Sequence, residues 1–371
     1  GTCAGEDLDG SNGCYNVLIG ECAGMNMTSG ADNIAIGCKA MGNGVTTGNY
    51  NIAFGKDAGC NLTSGPHNIF IGRNAGKENT TGKTNFFGGY SAARCNASGC
   101  YNVIFGLSAG KCGTAGNSRV FIGQGAGFKS CGSSNVFLGY YAGCSAGVGG
   151  SGGCNVAIGY NSGKKITTGA ENVFIGQAAT NDVSGGAFTG QRNVFIGFCA
   201  GNGTCTGSVS GSVYIGNGAG QQASGHCSIF IGYQAGQSFN CGKCNLAIGN
   251  DAMKGQQANS TGCCNIALGV CAGYGIKDAT NSIYIGSQAG RCAAGPNKII
   301  AMGIGAGRGA TDESASGAYN LFFGRYTGYN VTTACANVSI GDLANREGTA
   351  VCCNITIGSC ASRYNTTGGK N

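Results

Sequence analysis

The chain has 371 residues, of which 75 are Gly, 2 are Pro and none is Trp; only 10% are charged and the formal charge is +7. Gly does not fall at every third position and Pro is nearly absent, which excludes a collagen helix, while 42% apolar content suffices to bury a core and argues against disorder. Apolar runs stop at a Gly after about five residues, short of the roughly 20 that span a bilayer, and the 22 basic side chains are spread thinly, without the basic stripe that nucleic acid requires.

From the N-terminus onward one phrase recurs. Asn16 to Gly20 (NVLIG), Asn33 to Gly37 (NIAIG), Asn51 to Gly55 (NIAFG) and Asn68 to Gly72 (NIFIG) are followed by NVIFG at Asn102, NVFIG at Asn172 and Asn193, NLAIG at Asn245 and NITIG at Asn354. With the degenerate copies RVFIG (Arg119), SVYIG (Ser212), SIFIG (Ser228), SIYIG (Ser282) and IIAMG (Ile299), there are 20 copies, spaced 16 to 21 residues and most often 17. The consensus is N-[VI]-x-[IFL]-G-x-x-A-G-x-x-x-T-T-G-x-x. With the Asn as position 1, position 5 is Gly in all 20 copies, and position 8 is Ala except at Ser162 and Thr327. Such regularity reflects a geometry repeated at every turn.

A strand of about five residues returning every 17 predicts coils stacked through parallel ladders, an all-β parallel β-solenoid (β-roll). Residues 1–371 are read as one continuous array of about 20 coils. At roughly 4.8 Å per coil they would form a rod on the order of 95 Å long. Alternation places positions 2 and 4 inside and position 3 outside. The small residue at position 8 implies a close opposite wall, hence a thin interior. Asn at position 1, present in 15 of 20 copies, suits a ladder of side-chain amides bonded coil to coil. Position 3 carries Phe70, Phe87, Phe121, Phe137, Phe174, Phe195, Tyr214, Phe230, Tyr284 and Phe322. An outward stripe of this kind on a soluble coil is expected to be an interface with another chain or a neighbouring layer. Gly1 to Gly5 align with positions 5 to 9 and Asn371 with position 1 of a further coil, so the chain is expected to be a window within a longer array, or a subunit stacking head to tail.

The 24 Cys point to an oxidising compartment. Residues in equal register on adjacent coils lie within disulfide range, which makes Cys95 with Cys112 and Cys335 with Cys352 the cleanest pairs. Cys22 has two partners within reach, Cys3 and Cys38, and the register does not choose between them. Cys241 and Cys244 with the Cys263 and Cys264 pair imitate zinc-ligand spacing, but they fall where other coils place Cys, so stacking explains them. Ten N-x-[ST] sequons occur. Asn26, Asn61, Asn79, Asn96, Asn202, Asn259, Asn330 and Asn365 fall in the loop after the A-G and are candidate N-glycosylation sites. Asn337 and Asn354 occupy the ladder position and would lose that packing if modified. Together with the Cys content, the sequons suggest a eukaryotic secretory route or a virus that uses one.

The phrase N-x-[VA]-[IL]-G-x-x-A resembles the head repeats of YadA-like trimeric autotransporter adhesins. The longer N-x-A-I-G-x-x-A-G-x-x-T-T-G arrangement is similar to the arrays of tail-fibre-domain proteins and of surface proteins of large algal viruses. The resemblance covers the whole chain. For the adhesin heads it implies a left-handed parallel β-roll, a homotrimer and surface attachment.

Catalytic candidates are few. His67 and His226 lie some nine coils apart, and the acidic residues (Glu6, Asp7 and Asp9; Asp312 and Glu313) lack the clustering of solenoid lyases and glycosidases. Gly147 to Gly153 resembles a phosphate loop in composition only. The sequence therefore reads as a non-enzymatic structural component of an extracellular fibre or appendage on a cell or virion surface, self-assembling and without cofactor or metal. The alternative is a module binding a repetitive ligand, glycan or ice, on one face, with a cell-surface or glycan partner; variable Thr loops disfavour a flat ice-matching lattice.

Overall fold

A computed structural model describes residues 1–371 except 9–12, 146–149, 182–186, 204–207, 240–241, 256–259, 294–297, 310–316, 332, 348–349, 366 and 370–371. The fold is the all-β parallel solenoid that the repeat implies, and no helix occurs among the described residues. Two compact units are distinguished, Gly1–Asn181 with Gly186–Gln191, and Asp182–Gly185 with Arg192–Asn371. In the first, strands run from Val17–Ile19 to Val173–Ile175, one per repeat, each parallel to the next. In the second they run from Val194–Ile196 to Ile355–Ile357. Register is kept residue for residue, as in Val17↔Ile34, Leu18↔Ala35 and Ile19↔Ile36. A small separate sheet pairs Ala350–Cys352 with Thr367–Gly369.

Each strand has only three residues, so the coil is shaped by its turns. Position 5 has φ near +132° at Gly20 and +134° at Gly55, and a Cβ on Gly20 would sit 2.7 Å from the carbonyl of Gly37 in the next coil. Both the left-handed dihedral and the contact require Gly. Two further corners per coil take positive φ without Gly: the residue before the ladder position (Tyr15, Asp32, Tyr50, His67) and position 7 (Cys22, Lys39, Asp57, Asn74). Left-handed dihedrals are costly for most side chains, and here they recur because every coil must lie over the last.

The core is built from the middle of each strand, and this corrects the orientation expected from alternation. Phe70, Phe87, Phe121, Phe174, Phe195, Tyr214, Phe230 and Tyr284 are wholly buried, and Phe137 and Phe322 are 1% exposed. These ten rings lie inside their own coils, so none can serve as an interface. A three-residue strand facing a thin interior inserts one side chain and turns two outward. The rings stack on one another, Phe121 on Phe137 at 4.9 Å and 7°, and Phe195 on Tyr214 at 4.5 Å and 4°.

The opposite wall fits these rings by volume. The buried Ala at position 8 and the Gly at position 9 lie across from position 3, and a Cβ on Gly127 would meet Phe121 at 2.4 Å. In two coils where position 3 is Ala, at Ala35 and Ala247, position 9 is instead a buried Met, Met41 and Met253. Large residues thus alternate between the two walls so that the interior stays filled.

The asparagine ladder forms as the repeat implies. Asn68 Oδ1 accepts from the backbone N and the Nδ2 of Asn85, both at 3.0 Å, while its own Nδ2 donates to Asn51 Oδ1 at 3.1 Å and to the Gly82 carbonyl at 2.8 Å. The pattern repeats at Asn155 with Asn172 and at Asn320 with Asn337. All these amides are buried. A buried amide left unpaired would cost roughly 1–3 kcal/mol, so the ladder makes each coil dependent on its neighbours.

Candidate interaction surface

Because position 3 points in, positions 2 and 4 point out. Ile71 keeps 42% of its surface exposed, Ile122 45% and Ile248 40%; their counterparts along each unit are half-buried or exposed, except the buried Gly88. Beyond the Gly turn, position 6 adds exposed Tyr90, Leu107, Tyr140 and Tyr160 in the first unit, and Phe198, Tyr233, Val270 and Ile304 in the second. Tyr140 and Tyr160 stack at 5.2 Å and 4°. Each unit therefore presents two columns of mostly branched aliphatic side chains, interrupted by Phe54, Phe86, Gly88 and Phe105 in the first and by Met302 and Phe323 in the second. Apolar side chains exposed singly are ordinary, but a row that recurs coil after coil is a contiguous patch of the kind that marks an interaction site.

The cysteine registers can be compared directly. The backbones of Cys335 and Cys352 pair in an isolated parallel β-bridge, with both thiols free, and the Cys335 N–H donates to Cys352 Sγ at 3.3 Å. The hydrogen bond to the neighbouring Cys352 thiol pushes the pKa of Cys335 above its usual value, so its ionisation is suppressed. Cys95 is raised first by burial and then by Cys112 beside it. Cys22 lies against Cys3, whose thiol responds to Glu6 and to Cys22, whereas Cys38 donates to Glu21 Oε2 at 3.6 Å. Cys22 is thus the thiol beside Cys3, and Cys3, Cys22 and Cys38 are all free thiols. The reason is register: Cys3 and Cys22 both stand at position 7, and Cys38 at position 6. Among the described residues every displaced thiol is displaced upward, including Cys60, Cys144 and Cys271 through burial. Reactive cysteines need the opposite shift.

Cys244 is raised by desolvation and then by Cys227, Cys264 and Cys263 around it; Cys241 lies outside the described residues. No group of three or more His, Cys, Asp or Glu among the described residues is placed to hold a metal ion. His67 is stacked on Tyr50 at 5.1 Å, and His226 Nδ1 accepts from the Ser210 N–H at 3.2 Å.

The sequons divide by position. Asn79 and Asn96, both at position 12, are fully buried, which corrects their assignment as glycan acceptors: in these coils position 12 faces the interior and has no room for a sugar, whereas Asn365, at position 12 of the coil that starts at Asn354, is half-buried. Asn96 Oδ1 accepts from Arg119 Nη2 at 2.8 Å. Asn26, Asn61, Asn202, Asn330 and Asn365 are half-buried. Asn26 Nδ2 donates to the Asn43 carbonyl at 2.9 Å and Asn61 Nδ2 to Glu78 Oε2 at 2.7 Å, bonds that one remaining N–H could keep after modification. Asn259 lies outside the described residues. Asn337 and Asn354 are held in the ladder.

Sequence reasoning missed Arg119, which occupies a ladder position and is wholly buried. Its Nε donates to Asn102 Oδ1 at 2.9 Å, its Nη2 to Asn96, and its Nη1 to the Ser130 carbonyl at 3.2 Å. The RVFIG variant was the available signal. No helix among the described residues is long and apolar enough to cross a membrane. No family model, curated protein or solved structure matches the chain.

Proposed function

We propose that the chain is a structural element of an extracellular fibre or surface appendage, on a cell or a virion, and that it self-associates through the outward Val/Ile face. One observation carries this reading: an apolar surface repeated once per coil at a fixed pitch. A second copy of the same chain supplies the matching period, and any other partner would need an equally regular array. Bridges between cysteines of equal register would staple adjacent coils against unzipping, and N-linked sugars on the half-buried loop asparagines would shield the opposite edges. Native mass spectrometry of the purified chain tests the reading: multimers are expected, and a chain that stays monomeric at every concentration contradicts it.

A further inference from the structure

In the second unit a cleft of about 340 Å³ is lined by Arg308, Arg325, Tyr326, Tyr329, Leu343 and Arg346. Its cations arise from the repeat. Position 10 reads Arg291, Arg308, Tyr329, Arg346 and Arg363 in successive coils, so a column of guanidinium groups is broken by one tyrosine. Arg308 lies over one contact of the Tyr329 ring at 5.2 Å and Arg346 over another at 5.5 Å. Tyr326 meets Tyr329 edge-on at 5.5 Å, with Arg325 over Tyr326 at 5.8 Å.

The charges are not balanced from within. Asp342 is committed to Arg325 by two bonds, Nε to Oδ1 and Nη2 to Oδ2, each 2.9 Å. Arg308 Nη1 donates to the neutral Gln288 Oε1 at 2.6 Å. The ion-pair contact of Arg346 is Glu347 Oε1 at 3.9 Å, too long for a hydrogen bond, and its buried Nε has no hydrogen-bond partner. The buried Nε atoms of Arg291 and Arg363 in the same column are also unpartnered. Like charges stacked coil on coil repel each other, and an anion between them relieves that repulsion.

We propose that this cleft binds an acidic sugar unit of a glycan, one bearing a carboxylate or a sulfate. Guanidinium forks match the paired oxygens of either group. The volume is near the lower end of small-molecule sites, larger than a bare anion needs, and Leu343 with the two tyrosines gives the ring an apolar wall. Nucleic acid fits less well, because guanidinium groups already lie over the tyrosine rings on which bases would stack. The site lies within one chain and does not depend on self-association.

Titration of the intact chain by NMR or calorimetry tests this. The probes are glucuronate, glucose 6-sulfate, glucose, sodium sulfate and a single-stranded oligonucleotide. Saturable binding of glucuronate or glucose 6-sulfate is expected, the stronger of the two identifying the acid group, with none for glucose. Arg308→Gln and Arg346→Gln should each weaken binding about tenfold with the far-UV circular dichroism unchanged. Arg73→Gln, which removes a cation stacked on Tyr90 in the first unit, should leave it unaltered. Binding of sodium sulfate as tight as that of the acidic sugars, preference for the oligonucleotide, absence of saturable binding, or equal loss in the Arg73 variant would each overturn the proposal.

Discussion

Arg119 Nε donates to Asn102 Oδ1 at 2.9 Å while its backbone N–H donates to the same oxygen at 3.0 Å. A buried cation thereby reproduces the two bonds that Asn85 makes to Asn68 and Asn102 makes to Asn85, and Asn96 and Ser130 take up the rest of its guanidinium. Burial pushes its pKa down to about 10, so it remains charged at neutral pH, held by neutral oxygens.

Arg119→Ala should therefore destabilise the first unit by about 3–5 kcal/mol, because it opens a cavity and strands two acceptors, Asn96 Oδ1 and the Ser130 carbonyl. Arg119→Asn should cost less, since it restores the ladder amide. The pH dependence has a defined sign. The folded pKa lies below the unfolded one, so the folded state binds fewer protons above about pH 10, and the wild type should gain stability relative to Arg119→Met as pH rises through that value. Denaturant melts of both chains between pH 7 and 11 check this.

The inward rings make a different demand. Phe121→Ser and Phe137→Ser each remove one half of a stacked pair, 4.9 Å apart, and should cost about 3–5 kcal/mol. The outward orientation read from alternation would instead leave the fold intact. Chemical denaturation distinguishes the two, and a loss below about 1 kcal/mol would count against the buried core.

Oxidised material should contain Cys95–Cys112 and Cys335–Cys352 links, and Cys22 should be bonded to Cys3. Peptide mapping without reductant reads all three. A Cys22–Cys38 link would contradict the register seen in the structure.

Secretion from a eukaryotic cell should give sugars at Asn26 or Asn61 but none at Asn79 or Asn96. The latter two have no exposed surface, and glycopeptide analysis of folded protein reports each site. Occupancy at Asn79 would require position 12 to face outward.

Much of this architecture was legible in the sequence, because a 17-residue period, an invariant Gly and a repeated Asn each have one simple geometric reading. The face of the strand was not. Positions 2, 3 and 4 are all apolar, so alternation alone cannot say which side is buried. The discriminating signal lay across the coil, where Gly127 opposes Phe121 while Met41 compensates for Ala35. The arginine cleft was hidden for another reason. Arg308 and Arg346 are 38 residues apart in sequence, and only alignment on position 10, with Tyr329 between them, brings them into one column. The non-Gly corners at Tyr15 and Cys22 have no residue preference that reveals a positive φ.

The outward face carries the central claim, and sedimentation velocity tests it most directly. The wild-type chain should sediment as a concentration-dependent multimer. A variant carrying Val103→Lys, Ile122→Lys, Ile229→Lys and Ile248→Lys should sediment as a monomer with unchanged far-UV circular dichroism, because those side chains are exposed and charge opposes apolar contact. A monomeric wild type, or a lysine variant that assembles as readily as its parent, would contradict the account.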